Sequence, residues 1–475
     1  MNKKRILIII LTLILISDFT YSFLQYYNTP LDGDMASGII PDTEVQKIFN
    51  DPFGFGVIAD GKTHPNPNRY FAHLSFKTYF QHIPLLFQKF VSPIDSIYYS
   101  SATIKLLIQI MFIYLLSALI SKSTFNLKLL IVAVLLTPLF QTYGYHIYMG
   151  IIDNSITYTF FYALPLLILL FFLSNFYSCT NNSHIKISTR RKVVLALLTI
   201  ILPFSGPLIS PMILIIMLLL LLFYLVKHFK NNGHHYKLKP FFSHISKDIL
   251  LFFIPISILS IYSLFLGTYN STFQSEYTPL IERYFKLPLG IYYQLTQKLG
   301  LPILFLMIAS NIFIIKKYYN SKNGQKIVSD LKWIGLFSLL YILLLPFGGY
   351  RPYRSNILRY DTIMPITIGL FYVYGASTFF ILKNINKNKY AYYIIVFTFL
   401  LIFTYADISS LDENKCEKQA LITISNSDKP IVLLKENCNV ISWKPFTDFN
   451  DSKLNAKLLK MWNITDDLKL YYCSD

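Results

Sequence analysis

The sequence predicts an all-α polytopic membrane protein of about 11 transmembrane helices (10–12), closed by a small α+β extracytoplasmic C-terminal domain. Three observations carry that prediction. Of 475 residues, 54% are hydrophobic and only 14% are charged. Apolar runs near the roughly 20 residues needed to cross a bilayer recur along the chain. Lysine and arginine gather in alternate connecting segments, the asymmetry that orients polytopic proteins.

The first run, 6–24, follows Met1-Asn2-Lys3-Lys4-Arg5. Its length, and the lack of a small-x-small cleavage pattern after it, favour an uncleaved anchor over a signal peptide. Further spans are predicted at 102–121, 127–142, 156–175, 193–205, 207–226, 249–267, 300–315, 332–348, 363–382 and 390–407. Between Lys192 and Lys227 the chain is too long for one helix and short for two, and Pro203, Gly206, Pro207 and Pro211 interrupt it. A broken helical hairpin turning near Ser205-Gly206-Pro207 keeps both basic flanks on one side. Irregular backbone at that depth survives only inside protein or beside a wet cavity. The expected organisation is therefore an anchor helix (1–24), a large extracytoplasmic loop with interfacial helices (25–101), a polytopic region (102–407) and the C-terminal domain (408–475).

Charge places the N-terminus in the cytoplasm and the C-terminus outside. The segments read as inward carry Lys3, Lys4, Arg5, Lys122, Lys128, Arg190, Arg191, Lys192, Lys316, Lys317, Lys322, Lys326 and Lys383, against Asp248 and Asp330 as their acids. The formal net charge of +18 is thus mostly a topology signal. No base-stacking motif accompanies the basic runs, so nucleic acid is excluded as a partner and the lipid bilayer is the expected one. Abundant Ile, Lys, Asn and Tyr point to an AT-rich bacterial genome, and hence to a bacterial inner membrane.

The outward segments hold the chemistry. The first contains Pro30-Leu31-Asp32-Gly33-Asp34, two carboxylates flanking a glycine within a few residues of the bilayer surface. Asp-Gly is a common turn dipeptide, so the pair is either a solvated turn or the catalytic carboxylates of an enzyme working at that surface. Residues 35–42 suit a short interfacial helix, and Tyr79, Phe80, Pro84, Leu85, Phe87, Phe90 and Val91 an in-plane aromatic one. Such a stretch would suit an isoprenoid tail or a plain interfacial belt.

The second constellation is Tyr350-Arg351-Pro352-Tyr353-Arg354 with Arg359 and Asp361, three arginines within nine residues where basic side chains are otherwise scarce. Guanidinium forks bind phosphate oxygens bidentately, so Arg351, Arg354 and Arg359 are the candidate phosphate ligands. Candidate substrate-binding residues are Tyr350 and Asp361 of this segment and His64, Arg69, Asp153 and Glu282 of the other outward segments. Carboxylate oxygens suit Mg or Mn, and a cation, if one is used, would fall on Asp32 and Asp34. His64, His73, His82 and His146 lack metal-ligand spacing. There is no Walker loop, nucleophile elbow or dinucleotide fingerprint.

In the tail, Ile422, Ile424, Ile431–Leu434 and Val440-Ile441 read as short strands, and 451–463 as an amphipathic helix. An oxidising exterior would permit a disulfide between Cys416 and Cys438, with Cys473 left over and Cys179 reduced on the inner side.

An uncleaved first span, a large first outward loop opening with Asp32-Gly33-Asp34, many further spans, an outward arginine cluster and a soluble tail together resemble the GT-C superfamily of integral membrane glycosyltransferases. The resemblance implies a polyprenyl-phosphate-sugar donor, a glycan or lipid acceptor, and a first-loop acid as catalytic base: Asp34 ahead of Asp32. It gives the phosphate role to Arg351, Arg354 or Arg359. Inverting transfer needs a base for the acceptor proton and cations facing the departing phosphate. Two other readings compete. A lipid-linked glycan flippase predicts charged residues lining a path near the midplane. A polysaccharide polymerase or ligase would use the arginines but would not especially need the acid pair.

Overall fold

The computed structural model describes residues 3–61, 63–141, 143–145, 149–176, 187–232, 245–271, 278–319, 321–350, 354, 356–386 and 388–474. Its first helix, α1 (Lys3–Tyr27), is apolar on every face and buries few side chains, as expected of a helix that meets lipid along most of its length. The following segment folds into α2 (Met35–Ile39), α3 (Thr43–Asn50), α4 (Phe55–Asp60) and α5 (Tyr70–Phe87). Asp42 caps α3 by accepting from the Val45 amide at 2.8 Å, and Asp51 gathers the first amides of α4. The aromatic stretch expected to lie in the interface is largely the end of α5. That helix packs on α2, and Phe76 and Phe80 are fully buried against Phe160.

Helix α6 (Pro93–Ser121) begins nine residues before the predicted span, because Ser92 accepts from the Asp95 amide and Pro93 fits the first helical position. It packs along α1 and α5. Next come α7 (Leu127–Leu136), which tightens into a 3₁₀ turn over Thr137–Phe140, and α8 (Ile156–Ser174), which contains a π-helical turn at Thr159–Ala163. The predicted break follows: α9 (Thr189–Ile201) ends in a 3₁₀ turn at Leu202–Phe204, and α10 (Ile209–Asn232) resumes beyond Pro207. The chain continues through α11 (Lys247–Gly267), α12 (Leu280–Phe285), α13 (Leu287–Thr296), α14 (Gly300–Tyr318), α15 (Lys322–Leu344), α16 (Tyr360–Asn384) and α17 (Lys389–Ala406).

Among the described residues nine helices are long and apolar enough to cross a membrane: α1, α6, α8, α10, α11, α14, α15, α16 and α17. The expected spans at 127–142 and 193–205 form the shorter helices α7 and α9. Polar side chains tie the bundle internally, where hydrocarbon offers no alternative partner. Asn311 on α14 donates to Ser377 and Thr378 on α16 at 3.0 and 2.9 Å and accepts from Tyr392 on α17 at 2.8 Å.

The tail folds as α18 (Lys415–Asn426), β1 (Ile431–Leu434), α19 (Lys453–Met461) and β2 (Leu470–Cys473), with β1 parallel to β2 and Ile431 opposite Leu470. Ile422 and Ile424 are helical, contrary to the strand expectation, because Glu417, Ala420, Leu421 and Ile424 bury one face at helical spacing. Val440-Ile441 also forms no strand: Asn455 Nδ2 donates to both carbonyls, replacing a ladder partner, and Ile441 turns through φ +50°. Cys416 and Cys438 are joined as a disulfide, and Cys473 is free and buried. The tail shares one core with the first loop: Trp462, Leu459 and Tyr471 pack in the same cluster as Met35, Phe76 and Phe80. Trp462 Nε1 donates to the Phe80 carbonyl at 2.8 Å.

Candidate functional site

Residues of α2, α5, α8, α10, α11, α15 and α16 and of the adjoining loops surround a cavity of about 1670 Å³. That is larger than the few hundred to roughly 1,000 Å³ of ordinary small-molecule pockets. Its walls differ in character. Pro207, Leu208, Pro211, Leu214, Ile215 and Leu218, from the helix break and the first turns of α10, form an apolar wall with Leu264, Leu344, Leu345 and Phe347. Asp34, Arg69, Asp153, Arg283, Arg354 and Arg359 bring charge to the remainder. The break in the helical pair thus reaches the cavity at Pro207.

The acid pair divides. Asp32 is 4% exposed, and both its oxygens are occupied. Oδ1 accepts from the Asp34 amide at 3.0 Å and the Thr157 hydroxyl at 2.7 Å; Oδ2 accepts from the Ser155 hydroxyl at 2.7 Å and the Thr157 amide at 2.9 Å. It pins the start of α2 to the start of α8. Asp32, expected as a candidate base, is thus held by four donors, whereas Asp34 reaches the cavity. Asp34 stands at the N-terminus of α2 on the cavity wall, and its Oδ1 accepts from Trp443 Nε1 of the tail at 3.1 Å.

Of the arginines, Arg354 and Arg359 line the same cavity as Asp34. Arg354 donates through Nη2 to the Tyr158 hydroxyl, and its carbonyl accepts from Tyr350. Arg359 is committed to Asp361, with Nε 2.7 Å from Oδ1 and Nη2 2.8 Å from Oδ2. Burial opposes its charge, but the Asp361 carboxylate and Tyr162 together more than offset this and raise the guanidinium pKa. Arg351 lies outside the described residues, as do His146 and Cys179.

The other expected residues scatter. Arg69 and Tyr350 reach the cavity. Asp361 is fully buried behind Arg359. His64 is buried beside Asn270 away from the cavity, and burial lowers its imidazole pKa. Glu282 is exposed on α12 and does not line the cavity. Asp153 does line it while being 5% exposed. Its Oδ1 accepts from the Ser155 amide at 2.7 Å, and Oδ2 has no hydrogen-bond partner among the described residues. Burial raises its carboxyl, opposed by that amide.

Sequence reasoning missed four residues. Trp443 sits in an otherwise featureless tail segment. Tyr158 is hidden in an apolar run whose π-helical turn, a feature often found at functional sites, has no sequence signal. His73 lines the cavity, and burial pushes its imidazole down to about 3, with Arg69 adding to the effect, so it is neutral. Lys105 was legible: it is a cation inside a predicted span, and such residues are rarely idle. It is 1% exposed and donates to the Asn154 carbonyl, backing the cavity floor.

No protein-family model matches the chain, and neither a curated protein nor a solved structure matches it.

Proposed function

We propose that the protein is a membrane glycosyltransferase of GT-C type. It moves a sugar from a polyprenyl-phosphate-linked donor to a cell-envelope glycan or lipid acceptor on the extracytoplasmic face of a bacterial inner membrane. The observation that carries this reading is that Asp34, Arg354 and Arg359 line one cavity together with apolar side chains of membrane-length helices, among them Leu214, Ile215, Leu218 and Leu264. An isoprenoid tail fits the α10 wall, a phosphate fits the arginines, and a hydroxyl fits Asp34.

In the proposed step the Asp34 carboxylate removes the acceptor hydroxyl proton as that oxygen attacks the anomeric carbon. The bond from that carbon to the phosphate oxygen breaks, and polyprenyl phosphate leaves with the electron pair, facing Arg354. One displacement inverts the anomeric configuration. General-base assistance of this kind is worth roughly 10²–10⁴-fold in rate.

The orientation is supported by helix ends. Lys322 and Lys383 occupy the ends of α15 and α16 opposite those that line the cavity, and the positive-inside rule assigns such basic ends to the cytoplasm. Counting α7 and α9 with the nine longer helices gives the eleven spans of this reading. The tail then acts as a small extracytoplasmic domain roofing the cavity through Trp443.

The test is purified protein with polyprenyl-phosphate hexose and envelope acceptors, scoring transfer against translocation. Asp34→Asn should abolish transfer while insertion and folding persist. Retained transfer would remove Asp34 from the role; translocation without transfer would favour a carrier.

A further inference from the structure

The general base of a transfer reaction touches the acceptor, so whatever borders the base on its open side borders the acceptor too. Here that neighbour is Trp443. Its indole N–H reaches Asp34, its ring lines the cavity, and 56% of the residue is exposed. The chain has three tryptophans. Trp462 is fully buried in the core shared by the tail and the first loop, and Trp333 packs against Phe223. Trp443 is therefore the most exposed of the three, with Trp462 buried and Trp333 half-buried. Tyr158 continues that surface, its ring centroid 6.4 Å away.

A second observation limits what could lie there. Asp153 Oδ2 and Asn154 Oδ1 are buried acceptors without hydrogen-bond partners among the described residues, and both residues line the cavity. Such acceptors are costly unless a ligand supplies donors. An apolar aromatic face combined with carboxylate and amide acceptors suits a pyranose. Its C–H face covers a ring while its hydroxyls donate at the rim.

We infer that the acceptor is a saccharide, with Trp443 as its stacking platform and Asp153 and Asn154 accepting from its hydroxyls. This rests on the transfer reaction proposed above. It makes the tail a specificity element.

The test uses the full-length protein in nanodiscs. Free methyl hexosides and hexose disaccharides are titrated while tryptophan fluorescence is read, with no donor present. Saccharide should shift the emission of the wild type and of Asp34→Asn but not of Trp443→Leu. In transfer assays Trp443→Leu should raise acceptor KM roughly tenfold. Trp443→Phe, which keeps a ring and loses the N–H, should recover most of that loss. Donor KM should carry little of the effect. Emission unmoved by any saccharide, or Phe and Leu variants equally impaired, would overturn the inference. Saccharide binding without any sugar transfer from polyprenyl-phosphate hexose would uphold the saccharide site and refute the transferase reading instead.

Discussion

Thr157 grips Asp32 through two groups at once, its hydroxyl 2.7 Å from Oδ1 and its amide 2.9 Å from Oδ2. One acid of Asp32-Gly33-Asp34 is thereby a fastener between α2 and α8, while the other faces the cavity. Replacing Asp32 by Asn exchanges an acceptor oxygen for an NH₂ group aimed at existing donors. It should destabilise the fold by about 2–4 kcal/mol. Asp34→Asn, which alters a bond to a half-exposed indole, should cost under about 1 kcal/mol. Thermal unfolding of the two variants in one detergent separates these roles, and equal losses would contradict the division.

The buried Arg359–Asp361 ion pair differs from Arg354, which meets a tyrosine hydroxyl. Removing Arg359 strands a fully buried carboxylate, and breaking such a pair costs about 3–5 kcal/mol. Arg359→Gln should therefore unfold early, with Asp361→Asn in the same chain restoring much of the loss. Arg354→Gln should keep near-normal stability and lose donor affinity roughly ten- to a hundredfold. Melting curves and donor KM, measured on both variants, check the contrast.

Much of the architecture was legible because lipid imposes it. A spanning segment must satisfy its backbone internally, so its length and apolarity appear directly in sequence. The helical break near Gly206 was readable from Pro203, Pro207 and Pro211 for the same reason. The convergence of Asp34 with Arg354 was expected in outline, since both lie in segments assigned to one face. Which aspartate would line the cavity was not legible, because the fastening of Asp32 depends on Ser155 and Thr157, more than 120 residues away. Trp443 was invisible for a similar reason: its place beside Asp34 follows from a core shared by the tail and the first loop.

Glu417 fastens that shared core. Its carboxylate accepts from the Leu31 amide at 2.9 Å, the Tyr98 hydroxyl at 2.8 Å and the Ile441 amide at 2.8 Å. Burial pushes its pKa up from 4.5 to about 7, and the three donors only partly oppose this. An acid raised on folding binds more protons folded than unfolded between those values. Its contribution to stability is therefore present below about 4.5 and is lost as pH rises toward 7. The loss approaches roughly 3 kcal/mol. Melting temperature measured from pH 4.5 to 7.5 should fall more steeply for the wild type than for Glu417→Gln, which does not titrate. Parallel curves would rule out Glu417 as the titrating group.

Gly33 lets the tail come close to the acid pair. A Cβ built there would lie 2.5 Å from both the backbone nitrogen and Cδ1 of Trp443, nearer than real contacts allow. Because one of those atoms is backbone, no rotamer change relieves the clash, and the 443 segment must back away. Overpacking of this kind costs about 1–3 kcal/mol. Gly33→Ala should break the Trp443–Asp34 hydrogen bond while leaving Asp32 on Thr157, since that contact lies on the other side of the turn. Hydrogen exchange should then rise in residues 440–446 and stay unchanged at the start of α8. Sugar transfer should fall with acceptor KM ahead of donor KM. Wild-type exchange and kinetics in Gly33→Ala would mean that the indole tolerates displacement and does not set the geometry around Asp34.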